Sequence, residues 1–241
     1  MKRLLLLFVL FTVFTAACKE QTKEEIFQQG MEFVDNGNNQ AAVTLFKNAL
    51  EKDPNYIDAR LQLGFAYLET GKYDKAENEL VKALRQQPEN NHAILKLSEI
   101  YLGTGRTEKA IVQLKKILES EPENADALFL LARCYIVAKD LSTAEQYFRE
   151  SLKVRPAYAP AQLDLAKILY ITDRVDAANQ MVDAVLKEDP NNTDAYYVLM
   201  KRALTERDRD EAINALIKIR SINADDLYAA YTLGMLYLDV G

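Results

Sequence analysis

Few side chains in this sequence could do chemistry. His92 is the sole histidine, and Cys18 and Cys134 are the two cysteines. A single histidine without a second one or a cysteine pair supplies no tetrahedral zinc set. Beside Asn90 and Asn91, His92 reads as a surface or groove residue rather than a catalytic base. The glycines are scattered singly, so no glycine-rich loop could cradle a phosphate. The acid pairs Glu24-Glu25 and Asp225-Asp226 lie at helix starts, where negative charge suits the helix dipole. The runs Lys201-Arg202 and Arg207-Asp208-Arg209-Asp210 read as solvated faces and turns. Cys134 sits in the apolar stretch Leu130-Leu131-Ala132-Arg133-Cys134-Tyr135, where a free thiol behaves as a small hydrophobe. These residues predict a protein that is not an enzyme, with no catalytic or metal set, no cofactor and no small-molecule substrate.

Charge excludes further classes. The formal net charge is -6, and removing residues 1–17 takes away Lys2 and Arg3 and no acids, giving -6 - 2 = -8. An acidic body lacks the basic footprint that nucleic acid requires, and it would not adhere broadly to anionic lipid.

Cys18 has a different context. Lys2 and Arg3 precede an apolar run, Leu4 to Val13, interrupted only by Thr12; the small residues Thr15-Ala16-Ala17 follow, then Cys18. This is the order of a secretory signal, and the run is too short for a membrane-spanning helix of about 20 residues. The Ala17-Cys18 junction resembles a bacterial lipobox, with Thr15 where such signals most often carry Leu. The resemblance implies cleavage after residue 17 and lipidation of Cys18, since several acyl chains hold a protein stably on a membrane. Lys19, in place of the Asp associated with inner-membrane retention, points to the outer membrane.

The elements that present the remaining residues are set by a repeat. Pro54, Pro88, Pro122, Pro156 and Pro190 are spaced 34 residues apart. Twelve residues before each stands an alanine, at Ala42, Ala76, Ala110, Ala144 and Ala178, and Ala212 continues the series. Aromatic residues recur at Phe33, Tyr67, Tyr101 and Tyr135, and Gly37, Gly71 and Gly105 mark a break within the first three periods. Apolar residues recur at helical spacing on both sides of the break, so each period is two amphipathic helices. Glycine ends the first helix in a left-handed cap, the proline sets the turn between periods, and small residues at the Gly30 and Ala42 places allow the two helices to approach closely.

Spacing and residue types resemble the tetratricopeptide repeat. The resemblance covers residues 23–241 and implies an all-α, right-handed superhelical solenoid of helix-turn-helix units. The expected organisation is a signal peptide at 1–17, a lipidated Cys and short tether at 18–22, six units over 23–226, and the first helix of a seventh over 227–241. The family's common Trp is replaced by Ile26, Arg60, Ile94, Leu128, Gln162 and Tyr196, and the fifth and sixth units fit the pattern least well. The last helix is crowded with Leu227, Tyr228, Tyr231, Leu233, Met235, Leu236, Tyr237 and Leu238. It resembles the start of another complete unit, so a longer chain is expected; the alternative is a helix that docks a partner or a second copy.

In this family the first helices line a concave surface. Carried over, the fifth places are Phe27, Leu61, Leu95, Phe129, Leu163, Tyr197 and Tyr231, and a second apolar rail runs through Val34, Leu68, Leu102, Ile136, Tyr170, Leu204 and Leu238. The row between them holds Met31, Phe65, Glu99, Arg133, Lys167, Lys201 and Met235. Phe27, Leu61, Phe65, Leu95, Glu99, Phe129, Arg133, Leu163, Lys167, Tyr197 and Lys201 are the candidate partner-binding residues, suited to an extended peptide or an amphipathic helix. The alternative is that many of the apolar ones pack between neighbouring first helices. The basic place of the carboxylate clamp found in chaperone-binding relatives is apolar here, which argues against chaperone tails.

The expected function is an interaction scaffold, lipid-anchored in the bacterial cell envelope and facing the periplasm, with a protein or peptide partner. The stretches Phe46-Lys47-Asn48-Ala49-Leu50-Glu51-Lys52-Asp53-Pro54, Ala59-Arg60-Leu61-Gln62-Leu63-Gly64 and Ala76-Glu77-Asn78-Glu79-Leu80 resemble repeat lipoproteins that accompany exosortase (PEP-CTERM) sorting and exopolysaccharide export. The layout is also similar to lipoproteins that assist pilus secretin assembly. Further alternatives are the repeat part of a larger enzyme or enzyme regulator, and a structural spacer.

Overall fold

The computed structural model describes residues 20–238. The signal segment, Cys18 and Gly241 therefore lie outside the described residues. Those described form helices and turns without a strand. In chain order the helices are α1 (Lys23–Asp35), α2 (Asn39–Lys52), α3 (Ile57–Glu69), α4 (Tyr73–Gln86), α5 (Asn91–Gly103), α6 (Thr107–Ser120), α7 (Ala125–Val137), α8 (Leu141–Val154), α9 (Ala159–Ile171), α10 (Val175–Glu188), α11 (Thr193–Glu206), α12 (Arg209–Ile222) and α13 (Leu227–Leu238). The chain forms two compact units, one up to Ile100 and one from Tyr101 onward.

Local sequence explains where helices start and stop. Thr22 and Glu25 form a reciprocal capping box at α1. The side chains of Asn38, Asn124, Asp140, Asn192 and Asp208 accept a backbone N–H at the starts of α2, α7, α8, α11 and α12. At the other end, Gly37, Gly71 and Gly105 adopt φ of 73°, 69° and 73°, as the break residues require. The same left-handed turn recurs where glycine is absent, at Lys139, Asp173 and Arg207, with φ of 62°, 59° and 60°. In all six turns this residue donates to the carbonyl three back, and the next residue donates to the carbonyl five back, for example Asp173 to Tyr170 and Arg174 to Leu169. The turn is thus imposed by the hairpin, and non-glycine residues are held there at a conformational cost.

In the first unit, α1–α2 and α3–α4 are antiparallel hairpins and α2 packs on α3. Close approach is visible at two glycines. A Cβ on Gly30 would stand 2.5 Å from the Phe46 ring, and one on Gly64 would stand 2.8 Å from Leu80. Phe46 and Leu80 are themselves fully buried, so neither can swing aside. Arg60 replaces the family's usual aromatic and pairs with Glu79 of α4 at 2.7 Å, both side chains being 12% exposed.

The second unit stacks α6 through α13, each helix against the next. Its core repeats the same places: Ala110, Ala144, Ala178 and Ala212 are fully buried, and so are Leu114, Phe148, Val182 and Leu216. Each large buried side chain stabilises by roughly 1.5–3 kcal/mol. The departure from pattern in the sixth period has a physical solution. Arg202 stands where the two preceding periods carry the buried Cys134 and Ile168, and it is compensated by an ion pair to Glu211 of α12 and by the Tyr170 ring, 5.7 Å from its guanidinium. Ion pairs also join periods: Glu145 of α8 accepts from Arg174 at 2.8 Å and from Arg149 of its own helix.

Two outcomes follow. Lys139→Gly and Asp173→Gly should each stabilise the protein by about 1 kcal/mol, because glycine adopts the left-handed turn without a Cβ clash; urea unfolding followed by circular dichroism would show a raised midpoint. Hydrogen bonding to Arg174 holds the Glu145 carboxyl below the usual carboxylate range. Its contribution to stability is present above the unfolded carboxylate pKa and is lost as pH falls through the depressed folded value. Arg174→Gln should flatten that acid-side fall in unfolding midpoint.

Candidate functional site

Each unit presents a first-helix face, and the candidate residues are distributed between them. In the first unit Phe27 packs into its own hairpin, its ring 5.6 Å from Phe46 and 5.3 Å from Tyr56. Leu61 is buried, and Leu95 is half-buried. Phe65 packs against His92, the two rings tilted with centroids 4.6 Å apart. Glu99 is held by Lys96 one turn earlier at 3.1 Å. These contacts give His92 an aromatic neighbour.

The second unit gathers its candidates around one cavity of about 480 Å³, lined by Phe129, Arg133, Pro160, Leu163, Asp164, Lys167, Asp194, Tyr197, Val198, Lys201 and Tyr228. Six of these belong to the predicted set: Phe129, Arg133, Leu163, Lys167, Tyr197 and Lys201. Phe129 and Leu163 form its floor and are buried, at 8% and 4% exposure. The Phe129 ring lies 5.9 Å from Phe148 and 5.1 Å from Tyr158, so it is a packing residue as much as a surface one. Of the fifth-place residues, Leu61, Phe129 and Leu163 are buried, Phe27, Leu95 and Tyr197 are half-buried, and Tyr231 is 69% exposed. The second helix of the hairpin and the following turn cover Phe129, while at the ninth place, one helical turn further, Arg133, Lys167 and Lys201 are exposed.

The electrostatics of the cavity are local. Asp164 accepts from Lys167 at 2.7 Å and lies 3.8 Å from Arg133, whose guanidinium also sits 5.7 Å from the Phe129 ring. The Tyr197 hydroxyl donates to Asp226 at 2.7 Å. Burial, together with that carboxylate, pushes the Tyr197 pKa up to about 12, so the hydroxyl stays protonated at neutral pH. Burial likewise pushes the Cys134 thiol up to about 11.

Sequence reasoning missed Pro160, Asp194 and Tyr228. They share the second place of successive periods, the same place as His92 in the first unit, so the 34-residue lattice carried a signal for them. Asp164 and Val198, at the sixth place, were hidden because that place is not uniformly exposed; Val198 is buried. Among the described residues no group of histidine, cysteine and carboxylate could hold a metal ion, and no helix is long and apolar enough to cross a membrane.

An all-α array of antiparallel hairpins with a side-chain-lined cleft on its first-helix face defines a helical repeat protein built as a protein–protein interaction scaffold. The tetratricopeptide repeat profile matches residues 33–97 and 71–119, and the profile of the cytochrome c-type biogenesis protein H TPR domain matches residues 108–227. The chain belongs to the tetratricopeptide repeat family. Its structure is similar to that of Pseudomonas aeruginosa PilF (21% identity, 88% of this chain and 97% of that one, TM-score 0.68). It is similar also to PilW, a widely conserved type IV pilus biogenesis factor (19% identity, 88% and 98%, TM-score 0.74). A third similar structure is the APC/C hetero-tetramer Cut9–Hcn1 (16% identity, 95% and 45%, TM-score 0.78). No curated protein matches the chain.

The folded protein should leave Cys134 unreactive toward a disulfide thiol reagent at pH 8, since the thiol is fully buried and almost wholly protonated there. Labelling before and after denaturation, followed by mass spectrometry of the Cys134 peptide, checks this.

Proposed function

We propose that this protein is a lipid-anchored scaffold of the bacterial cell envelope that binds an exported protein through the concave cleft of its second unit. The observation that carries the reading is the cleft itself. It is about 480 Å³, with a buried apolar floor and an exposed charged row, the combination of complementary shape and orienting polar groups that peptide recognition uses. The arrangement Lys2-Arg3, apolar run, Ala17-Cys18 supports a lipid on Cys18, and Lys19 favours the outer membrane with the repeats in the periplasm.

The pathway has two readings. The three stretches between Phe46 and Leu80 support a role in exosortase-type sorting or exopolysaccharide export. Assembly of a pilus or secretin is favoured by a separate observation: the solved PilF and PilW chains are covered over 97% and 98% of their length, so the array matches theirs in extent as well as fold.

A photo-crosslinking residue at Lys201, in the cleft, should capture one envelope protein in cells, while the same residue at Lys218, exposed on the second-helix face, should not. Equal capture at both positions, or capture at Lys218 alone, would remove the cleft from the function. In the same cells Cys18→Ala should move the protein from the membrane fraction to the soluble one; retention in the membrane would remove the lipid anchor.

A further inference from the structure

We infer that the cleft of the second unit takes an extended peptide segment bearing acidic side chains three residues apart. This deepens the scaffold reading and rests on it. Arg133, Lys167 and Lys201 occupy the same place of three successive periods on α7, α9 and α11, so the cleft carries a single file of cations. Packing does not demand them, because the same place in the first unit holds Met31, Phe65 and Glu99. The chain as a whole has a formal net charge of -6, so this face reverses the sign of its surroundings.

The acids of the cleft leave that file incompletely neutralised. Asp164 is shared, at 2.7 Å from Lys167 and 3.8 Å from Arg133, and these two cations remain 48% and 49% exposed. Asp194 is the other acid in the lining. Lys201 makes no ion pair among the described residues. Three cations and two acids line the cleft, and the Asp226 carboxylate behind Tyr197 already accepts from that hydroxyl and from the Ala229 N–H; focused by a low-dielectric wall, the exposed file of cations raises the local concentration of anionic segments. A basic segment would meet three like charges, and a neutral one would cover the cations without replacing their water.

Spacing selects the period of the ligand. Packed helices lie about 8–10 Å apart, and a segment in the extended polyproline II conformation advances about 3.1 Å per residue with three residues per turn. Three residues thus span one inter-helix step and return the side chain to the same face, so acids at positions i, i+3 and i+6 fall opposite successive cations. Tyr197 and Tyr228, which border Lys201, offer ring faces to the intervening side chains, 5.9 Å apart and tilted.

The test uses the full mature chain and fluorescein-labelled nine-residue peptides with Glu, Ser or Lys at positions one, four and seven of a common Ala/Tyr background, plus an isomer with the three Glu adjacent. Anisotropy should rank the spaced-Glu peptide first, with affinity falling as salt rises. Lys167→Glu with Lys201→Glu should weaken it about tenfold or more and turn the preference toward the Lys peptide, with the circular dichroism spectrum and melting temperature unchanged. Equal binding of the Ser peptide, or of the adjacent-Glu isomer, would overturn the inference. So would absence of binding by every peptide. If cross-linking at Lys201 persists in cells in those cases, the cleft remains the working site and only its acidic ligand is wrong; if that cross-link is also absent, the scaffold reading falls with it.

Discussion

Everything else in this molecule depends on two helices of a hairpin meeting at a place where one of them has almost no side chain. At Gly30 and Gly64 the facing residues, Phe46 and Leu80, fill the space a Cβ would need, leaving 2.5 Å and 2.8 Å. The facing alanines, from Ala42 to Ala212, are fully buried in all six periods. A solenoid has no central core, so each hairpin must gain its stability from this internal contact and from its neighbours. Where the small residue grows, as at Met200, the neighbourhood is rebuilt: Met200 joins Ala215, Leu216, Ile219 and Ala229 in one cluster.

That contact dictates the turn. Helices held so close must reverse direction in very few residues, and the left-handed break residue is the means. Glycine serves in the first three periods, while Lys139, Asp173 and Arg207 are bent into the same conformation. The paired hydrogen bonds of the turn are kept in every case. The later periods thus carry local strain that the hairpin contact and inter-period ion pairs such as Glu145–Arg174 offset.

The same close packing divides labour across the first-helix face of each unit. At the fifth place Leu61, Phe129 and Leu163 are buried, and the last two form the floor of the second unit's cleft. Side chains one turn later escape burial at Arg133, Lys167 and Lys201 and set the chemistry of that surface. In the second unit that chemistry is cationic and hydrogen-bonding, with Asp164 positioning Arg133 and Lys167 and Asp226 fixing Tyr197.

The sequence by itself determined the all-α repeat. A 34-residue period in Pro54 through Pro190 and Ala42 through Ala212 leaves no other architecture, because the same small and turn-forming residues return at the same place in every hairpin. It also placed most of the cleft, since Arg133, Lys167 and Lys201 share one register position. Tertiary structure decided which candidates are surface. Burial depends on how near the next helix stands, and no single-helix periodicity encodes that distance; hence Phe129 and Leu163 turned out to be floor, while Pro160, Asp194 and Tyr228 came to the rim from the following helix. It decided too that Lys139, Asp173 and Arg207 take the glycine conformation, because a turn closed by packing overrides the preference of the residue within it.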